Sequence, residues 1–234
     1  MLRVLLLARN DGDWWTQLTQ DRDLGPWLTA RSPLPLAAVA TEALAREEVF
    51  REAVTAYAVA RGKAVVAPAG LRFDDARFER VLYLHMAALA VVEGLPVDAG
   101  ALMDAMLDHE ERFWERRGRE SGDALDVAMH LTDAQQLVAA GTLRGGFASQ
   151  DEARAVFKRM IDRSLDRDDA RLLALLHRVY ARRGETVWQP PLEPDLLGEA
   201  MAVRVARPRR AEENPPADWI DRVFPVEEAG AAVR

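Results

Sequence analysis

The chain opens on Leu2-Arg3-Val4-Leu5-Leu6-Leu7-Ala8, a nearly continuous apolar run that stops at Arg9-Asn10. Leu and Val without alternation read as a strand covered on both faces, the pattern of a central parallel strand with helices above and below its sheet. Such a strand needs hydrogen-bonding neighbours on both sides, and the rest of the chain offers hardly another strand-like segment. The expected fold is therefore mainly α. Residues 1–70 would be the strand and helix remnant of an α/β domain whose other strands are absent from this chain or supplied by another.

At 234 residues, with 49% hydrophobic and 29% charged residues, the composition is that of a globular protein and excludes disorder throughout. The net charge of -7 argues against a surface built to neutralise phosphates, so nucleic acid is a disfavoured partner. Without cysteine there is no disulfide, thiolate zinc site or cysteine nucleophile, and the expected compartment is the cytoplasm. The first apolar run ends too early for a signal peptide, whose core takes about 7 to 15 residues. Val81 to Val92 falls short of the roughly 20 residues that span a bilayer, so no membrane segment is expected.

Along the chain, a helix is expected from Thr41 to Arg61, with Leu44, Phe50, Val54 and Tyr57 on one side and Gly62 at its end. Lys63 to Leu71 reads as a linker. Asp74 or Asp75 would cap a helix whose Phe78, Val81, Leu82, Ala88, Leu89 and Val92 form a buried stripe. Asp98 would start the next, with Leu102, Met106, Phe113 and Trp114 inward and Asp108 paired to Arg112 on the surface. These two make a helical hairpin domain over 71–120.

Shorter helices follow: Asp123 to Ala140, Ser149 to Met160 with Ser149-Gln150-Asp151-Glu152 as a capping box, and Asp168 to Arg182. An extended Thr186 to Gln189 comes next. Helix, turn, helix, helix and a short β element is the order of a winged helix-turn-helix, placed at 121–206. Residues 207–234, rich in Arg, Glu, Pro and Ala, read as a linker or tail with one docked turn at Trp219 to Phe224.

No residue set points to catalysis. Gly62-Lys63 closes a helix and lacks the pattern of a phosphate loop, Gly141 to Gly146 reads as a helix C-cap, and no nucleophile elbow occurs. His85, His109, His130 and His177 lack the spacing of a zinc site, and His85 reads as a hydrogen-bonded core residue. Asp104, Asp108, Glu110 and Glu111 read as the solvated face of an amphipathic helix. Arg9 stands just beyond the carboxyl end of the first strand, where open α/β sheets hold their ligands, although an exposed loop arginine fits the spacing equally well. Arg154, Lys158 and Arg159 could face a DNA backbone, but Asp151 and Glu152 on the same helix favour a protein contact surface.

Four segments, LLLARNDGDWW, RFERVLYLHMAALAVVEG, LDHEERFWERR and WQPPLEPDLLGEAM, resemble in the same order segments of the actinobacterial-type STAND ATPases, signalling NTPases often followed by tetratricopeptide repeats. The resemblance implies the sensor strand of a P-loop domain, then a helical domain, then a winged helix that closes over ATP or ADP with Mg. It places Arg9 at the sensor arginine that contacts the γ-phosphate. Pro194-Asp195-Leu196-Leu197 falls on the winged-helix Met-His-Asp element, with Asp195 retained and Pro194 in place of the histidine. The phosphate-binding loop and magnesium-binding acid would precede Leu2, so the chain is expected to be a truncated, regulatory portion without ATPase activity or cofactor of its own. Its implied partner is a protein or the missing nucleotide-binding segment, and an oligomer is compatible with that role. The rival expectation is a winged-helix DNA-binding transcriptional regulator.

Overall fold

The computed structural model describes residues 13–22, 25, 42–65, 71–120, 125–181, 186–207 and 219–225. The expected strand at Leu2 to Asn10 lies outside them. The chain divides into two compact units, residues 1–39 and 40–234. In the first, α1 (Asp13–Gln20) carries Thr19, whose Oγ1 donates to the Trp15 carbonyl at 3.0 Å.

The second unit is all-helical among its described residues, apart from one isolated β-bridge. Helix α2 (Ala43–Arg61) buries Phe50, Ala53, Val54 and Ala58 against α3 (Val81–Val92). Leu44, expected on that face, is 78% exposed. Gly62 takes φ 61°, a left-handed conformation that suits glycine, and Lys63 N donates back to the Ala58 carbonyl at 2.9 Å. Lys63 Nζ then reaches the Val92 carbonyl at 3.1 Å and Glu93 at 2.7 Å, so a cation closes the negative end of α3. Between α2 and α3, Asp75 caps one turn of 3-10 helix, Ala76–Glu79, by accepting from Arg77 N. Phe50, Phe73, Phe78 and Tyr83 pack in series, tilted then edge to face, with centroids 5.0, 5.4 and 5.6 Å apart. Thus α2, placed by its sequence within residues 1–70, shares a core with α3 of the helical hairpin.

Helix α3 buries Tyr83, Leu84, Met86, Ala87, Ala88, Ala90 and Val92 because α2 and α4 flank it. The exception within its expected stripe is Leu82, 40% exposed. Asp98 forms a turn rather than a helix start, accepting from Gly100 N and Ala101 N at 2.8 and 2.9 Å. Helix α4 (Leu102–Glu120) turns Leu102, Met106, Leu107, Trp114 and Gly118 inward.

A 3-10 turn, Val127–His130, leads into α5 (Leu131–Leu143). Phe147 then pairs antiparallel with Gln189 across N–H to carbonyl bonds of 2.8 and 3.1 Å. Helices α6 (Gln150–Ile161) and α7 (Arg167–Tyr180) lie between the bridged residues, and α8 (Asp195–Ala206) follows them. The expected capping box at Ser149 is only half formed. Ser149 Oγ accepts from Glu152 N at 3.1 Å, but Glu152 reaches past Ser149 to Ala148 N at 2.8 Å and to Arg144 at 2.9 Å. The two-way box stands at α7, where Asp166 accepts from Asp169 N at 2.9 Å and Asp169 accepts from Asp166 N at 2.8 Å. The short α9 (Trp219–Val223) docks on α6.

Helices α5 and α8 pack closely at Gly198. A Cβ there would stand 2.6 Å from Thr142 Cγ2 and 2.8 Å from the Leu192 carbonyl. Alanine raises helix propensity by about 1 kcal/mol, but overpacking costs about 1–3 kcal/mol. Gly198→Ala is therefore expected to lower the unfolding free energy in urea, and a gain in stability would contradict this packing.

Candidate functional site

Arg204 is the cation that joins α8 to α4, with a side chain only 9% exposed. Its Nη2 donates to the Asp104 carbonyl and Oδ1, both at 2.9 Å, and its Nη1 lies 2.8 Å from Asp108 Oδ1 and 2.8 Å from Glu111 Oε1. Gln135 of α5 donates to the same Glu111 oxygen at 2.7 Å, so α4, α5 and α8 meet at one carboxylate. Burial lowers the Arg204 pKa, but the hydrogen bonds and charges of Asp104, Glu111 and Asp108 outweigh it and hold the guanidinium more firmly protonated.

Asp104 and Asp108 keep much of their side chains exposed, as a solvated face requires, whereas Glu111 is buried, and Asp108 pairs with Arg204 where a surface pair with Arg112 was expected. Their spacing of four and three places them on one side of α4, but the cation that collects them is remote in sequence. Arg204 itself carried a signal, since it stands alone among apolar residues in Met201-Ala202-Val203-Arg204-Val205-Ala206.

Helix α7 grips α4 through a second polar contact. Tyr180 Oη donates to Glu110 Oε1 at 2.7 Å and accepts from Trp114 Nε1 at 2.8 Å. Burial, with the Glu110 carboxylate beside it, pushes the Tyr180 hydroxyl well above its ordinary range and keeps it a donor. Glu110 is therefore half-buried and paired.

Between α2, α3, α4 and the start of α8 lies a cleft of about 510 Å³. Leu82, Met86, Leu89, Met106 and Phe113 supply its apolar wall, and Glu193, Pro194 and Leu197 close the α8 side. His85 and His109 project into it, with Arg61, Arg116 and Arg117 among its charged residues. His85 Nδ1 lies 3.3 Å from Tyr57 Oη, the hydrogen bond expected of it, yet the ring lines a cavity rather than a closed core. Much of the positive charge is matched: Arg61 stands 3.4 Å from Glu93 and Arg117 3.1 Å from Glu120. Burial raises the Glu93 pKa, but the bond and charge of Lys63, with Arg61 and His109, bring it below the usual value.

Of the sequence-expected site residues, Asp195 lies exposed in the first turn of α8, next to Pro194 at the cleft edge, where its charge complements the helix dipole. Arg9 lies outside the described residues. Tyr57 and His85 form the hydrogen-bonded pair of side chains in the cleft lining. Among the described residues no group of His, Asp and Glu could hold a metal ion, and no helix is long and apolar enough to cross a membrane. Compared with protein-family models, curated proteins and solved structures, the chain matches none.

Two measurements probe these contacts. Tyr180→Phe removes the hydroxyl bonds to Glu110 and Trp114, leaving these two only their own 3.3 Å bond, and is expected to cost about 1–3 kcal/mol in urea denaturation. No measurable loss would show that water replaces the hydroxyl. Burial, assisted by Arg116 and Arg112 against Glu93 and Glu110, holds the His109 pKa below the usual imidazole value. The unfolded chain then binds the proton first as pH falls through about 6.5. Stability from a neutral His109 is complete above that pH and is lost as pH drops toward the folded pKa. The wild type is expected to lose more stability between pH 7.5 and 5.5 than His109→Gln, and parallel profiles would count against the shift.

Proposed function

We propose that the chain is the regulatory portion of a STAND-type ATP/ADP-dependent signalling switch, a helical domain followed by a winged helix, acting in the cytoplasm through contacts between domains or with another protein. On this reading the parent family's ATP or ADP with Mg is handled by a nucleotide-binding segment outside these residues, and the chain alone does not hydrolyse ATP. The order α5, Phe147, α6, α7, Gln189 supports it, because in a winged helix the residue between the first two helices pairs with the segment after the third. The cleft edge at Glu193 to Leu197 also coincides with the segment that resembles the Met-His-Asp element.

The observation that carries the choice between interdomain switch and DNA reader is the covering of α7. The third helix of a helix-turn-helix must be free to enter a groove. Here α4 lies on α7, whose Asp169, Leu172, Leu173, Leu175 and Leu176 are buried, while Arg167, Asp168 and Arg178 keep the most exposure. On α6, Arg159 donates Nε to the Arg222 carbonyl at 3.2 Å, which turns part of the basic face toward α9. A third helix clasped by the neighbouring domain suits a module that transmits domain position.

The cleft alone does not fit a nucleotide. It offers no phosphate-cradling loop, and Glu93 and Glu120 already occupy Arg61 and Arg117. Titration calorimetry with Mg-ATP and Mg-ADP is therefore expected to give no affinity tighter than about millimolar, roughly 4 kcal/mol, with no phosphate release. Micromolar binding or turnover would overturn the reading. Duplex DNA should show no retarded band even at low salt, whereas binding that weakens as salt rises would favour the transcriptional regulator.

A further inference from the structure

The cleft between α2, α3, α4 and the start of α8 measures about 510 Å³, within the roughly 300–1,000 Å³ of small-molecule sites. Leu82, Met86, Leu89, Met106 and Phe113 give it an apolar wall. Its two methionines adapt to irregular shapes and make favourable contacts with aromatic rings. A wall of this kind recognises an apolar body, and the polar groups beside it decide what else that body must carry.

The carboxylates of the cleft are largely engaged. Glu93 lies 2.7 Å from Lys63 Nζ and 3.4 Å from Arg61, Glu120 lies 3.1 Å from Arg117, and Glu110 accepts from Tyr180 Oη at 2.7 Å. Glu193, on the α8 side, is exposed to water. A cationic ligand would have to displace a group already bound to each of the first three.

The donors are in the opposite state. Arg116 makes no ion pair among the described residues, and its guanidinium lies 5.8 Å from the Phe113 ring centroid. His109 stands two turns before it on the same helix, half-buried, and its imidazole makes no hydrogen bond among the described residues. When the Tyr57 hydroxyl donates to His85 Nδ1, the proton of a neutral His85 sits on Nε2, a third donor. One permanent cation and two imidazoles with spare donor capacity thus line the same cavity as the apolar wall. A guanidinium matches a carboxylate with two parallel bonds. A phosphoryl group carries about two charges at neutral pH, more than one arginine balances.

We propose that the cleft binds a small monocarboxylate with an apolar body, the carboxylate held by Arg116 with His109 and His85 as further donors, and the body laid against Met86, Leu89, Met106 and Phe113. The inference goes beyond the switch reading and does not depend on it.

The test titrates 4-phenylbutyrate into the full chain at neutral pH, with histidine side-chain NMR to locate the ligand. Saturable binding with a Kd at or below about 1 mM is expected, the affinity that about twelve non-hydrogen atoms supply at ordinary efficiency. The His85 and His109 resonances should move, and those of His130 and His177, which lie outside the cleft lining, should stay. 4-Phenylbutanol and 4-phenylbutylamine keep the body without the negative charge and are expected to bind at least about tenfold more weakly, as is 4-phenylbutyrate to Arg116→Met. Arg116 is exposed, so this variant should fold. If circular dichroism shows otherwise, Leu82→Glu, which sets a like charge on the wall at a position 40% exposed, takes its place with the same expectation. No saturable binding below about 5 mM, an alcohol or amine that binds as well, unchanged affinity in the folded variant, or shifts confined to His130 and His177 would each overturn the proposal.

Discussion

Arg204 sets the constraint on which the rest of the second unit depends. A guanidinium buried to this degree must be surrounded by acceptors, because an unpaired buried charge costs several kcal/mol. Asp104, Asp108 and Glu111 meet that need at Nη1 and Nη2, leaving the buried Nε without a hydrogen-bond partner, only if α8 crosses α4 at one height and one rotation. Replacing such a cluster by apolar residues can be neutral or stabilising. Its contribution is therefore better understood as fixing the register between helices than as adding to stability.

With α8 fixed on α4, several other features follow. Gly198 comes against Thr142, which lets α5 and α8 approach closely, and Gln135 of α5 joins the Glu111 carboxylate. Glu193, Pro194 and Leu197 are set opposite His85, His109 and Phe113, which creates the cleft. On another side of α4, Glu110 and Trp114 receive Tyr180, so α7 is covered. One helix is clasped by two others, and Asp104, Asp108, Glu110 and Glu111 serve those contacts. The cleft and the cover on α7 thus share α4 as a common wall.

What the sequence made legible was the local pattern. The dense apolar residues of α3 identify a buried helix, Gly62 marks the end of α2, and Trp219 to Phe224 reads as a docked turn within a charged, proline-rich tail. The Asp166-x-x-Asp169 box was equally local, and placing the helix start at Asp168 missed it by a residue. The polar joints were hidden for a physical reason. Glu111 looks like part of a solvated face until its cation is known, and Arg204 arrives from a different helix, 93 residues beyond it. Leu44 and Leu82 show the same limit from the apolar side, because helical periodicity identifies a stripe but not which of its ends is covered. Asp195 remains beside the cleft rather than in it, and Arg9 lies outside the described residues.

The central claim is that the Arg204 and Glu111 side chains act as one unit joining α8 to α4. A double-mutant cycle with Arg204→Met and Glu111→Gln, read as unfolding free energies in urea, measures this directly. The account predicts a coupling energy of about 1–3 kcal/mol between the two positions. Effects that add to within about 0.5 kcal/mol would contradict it.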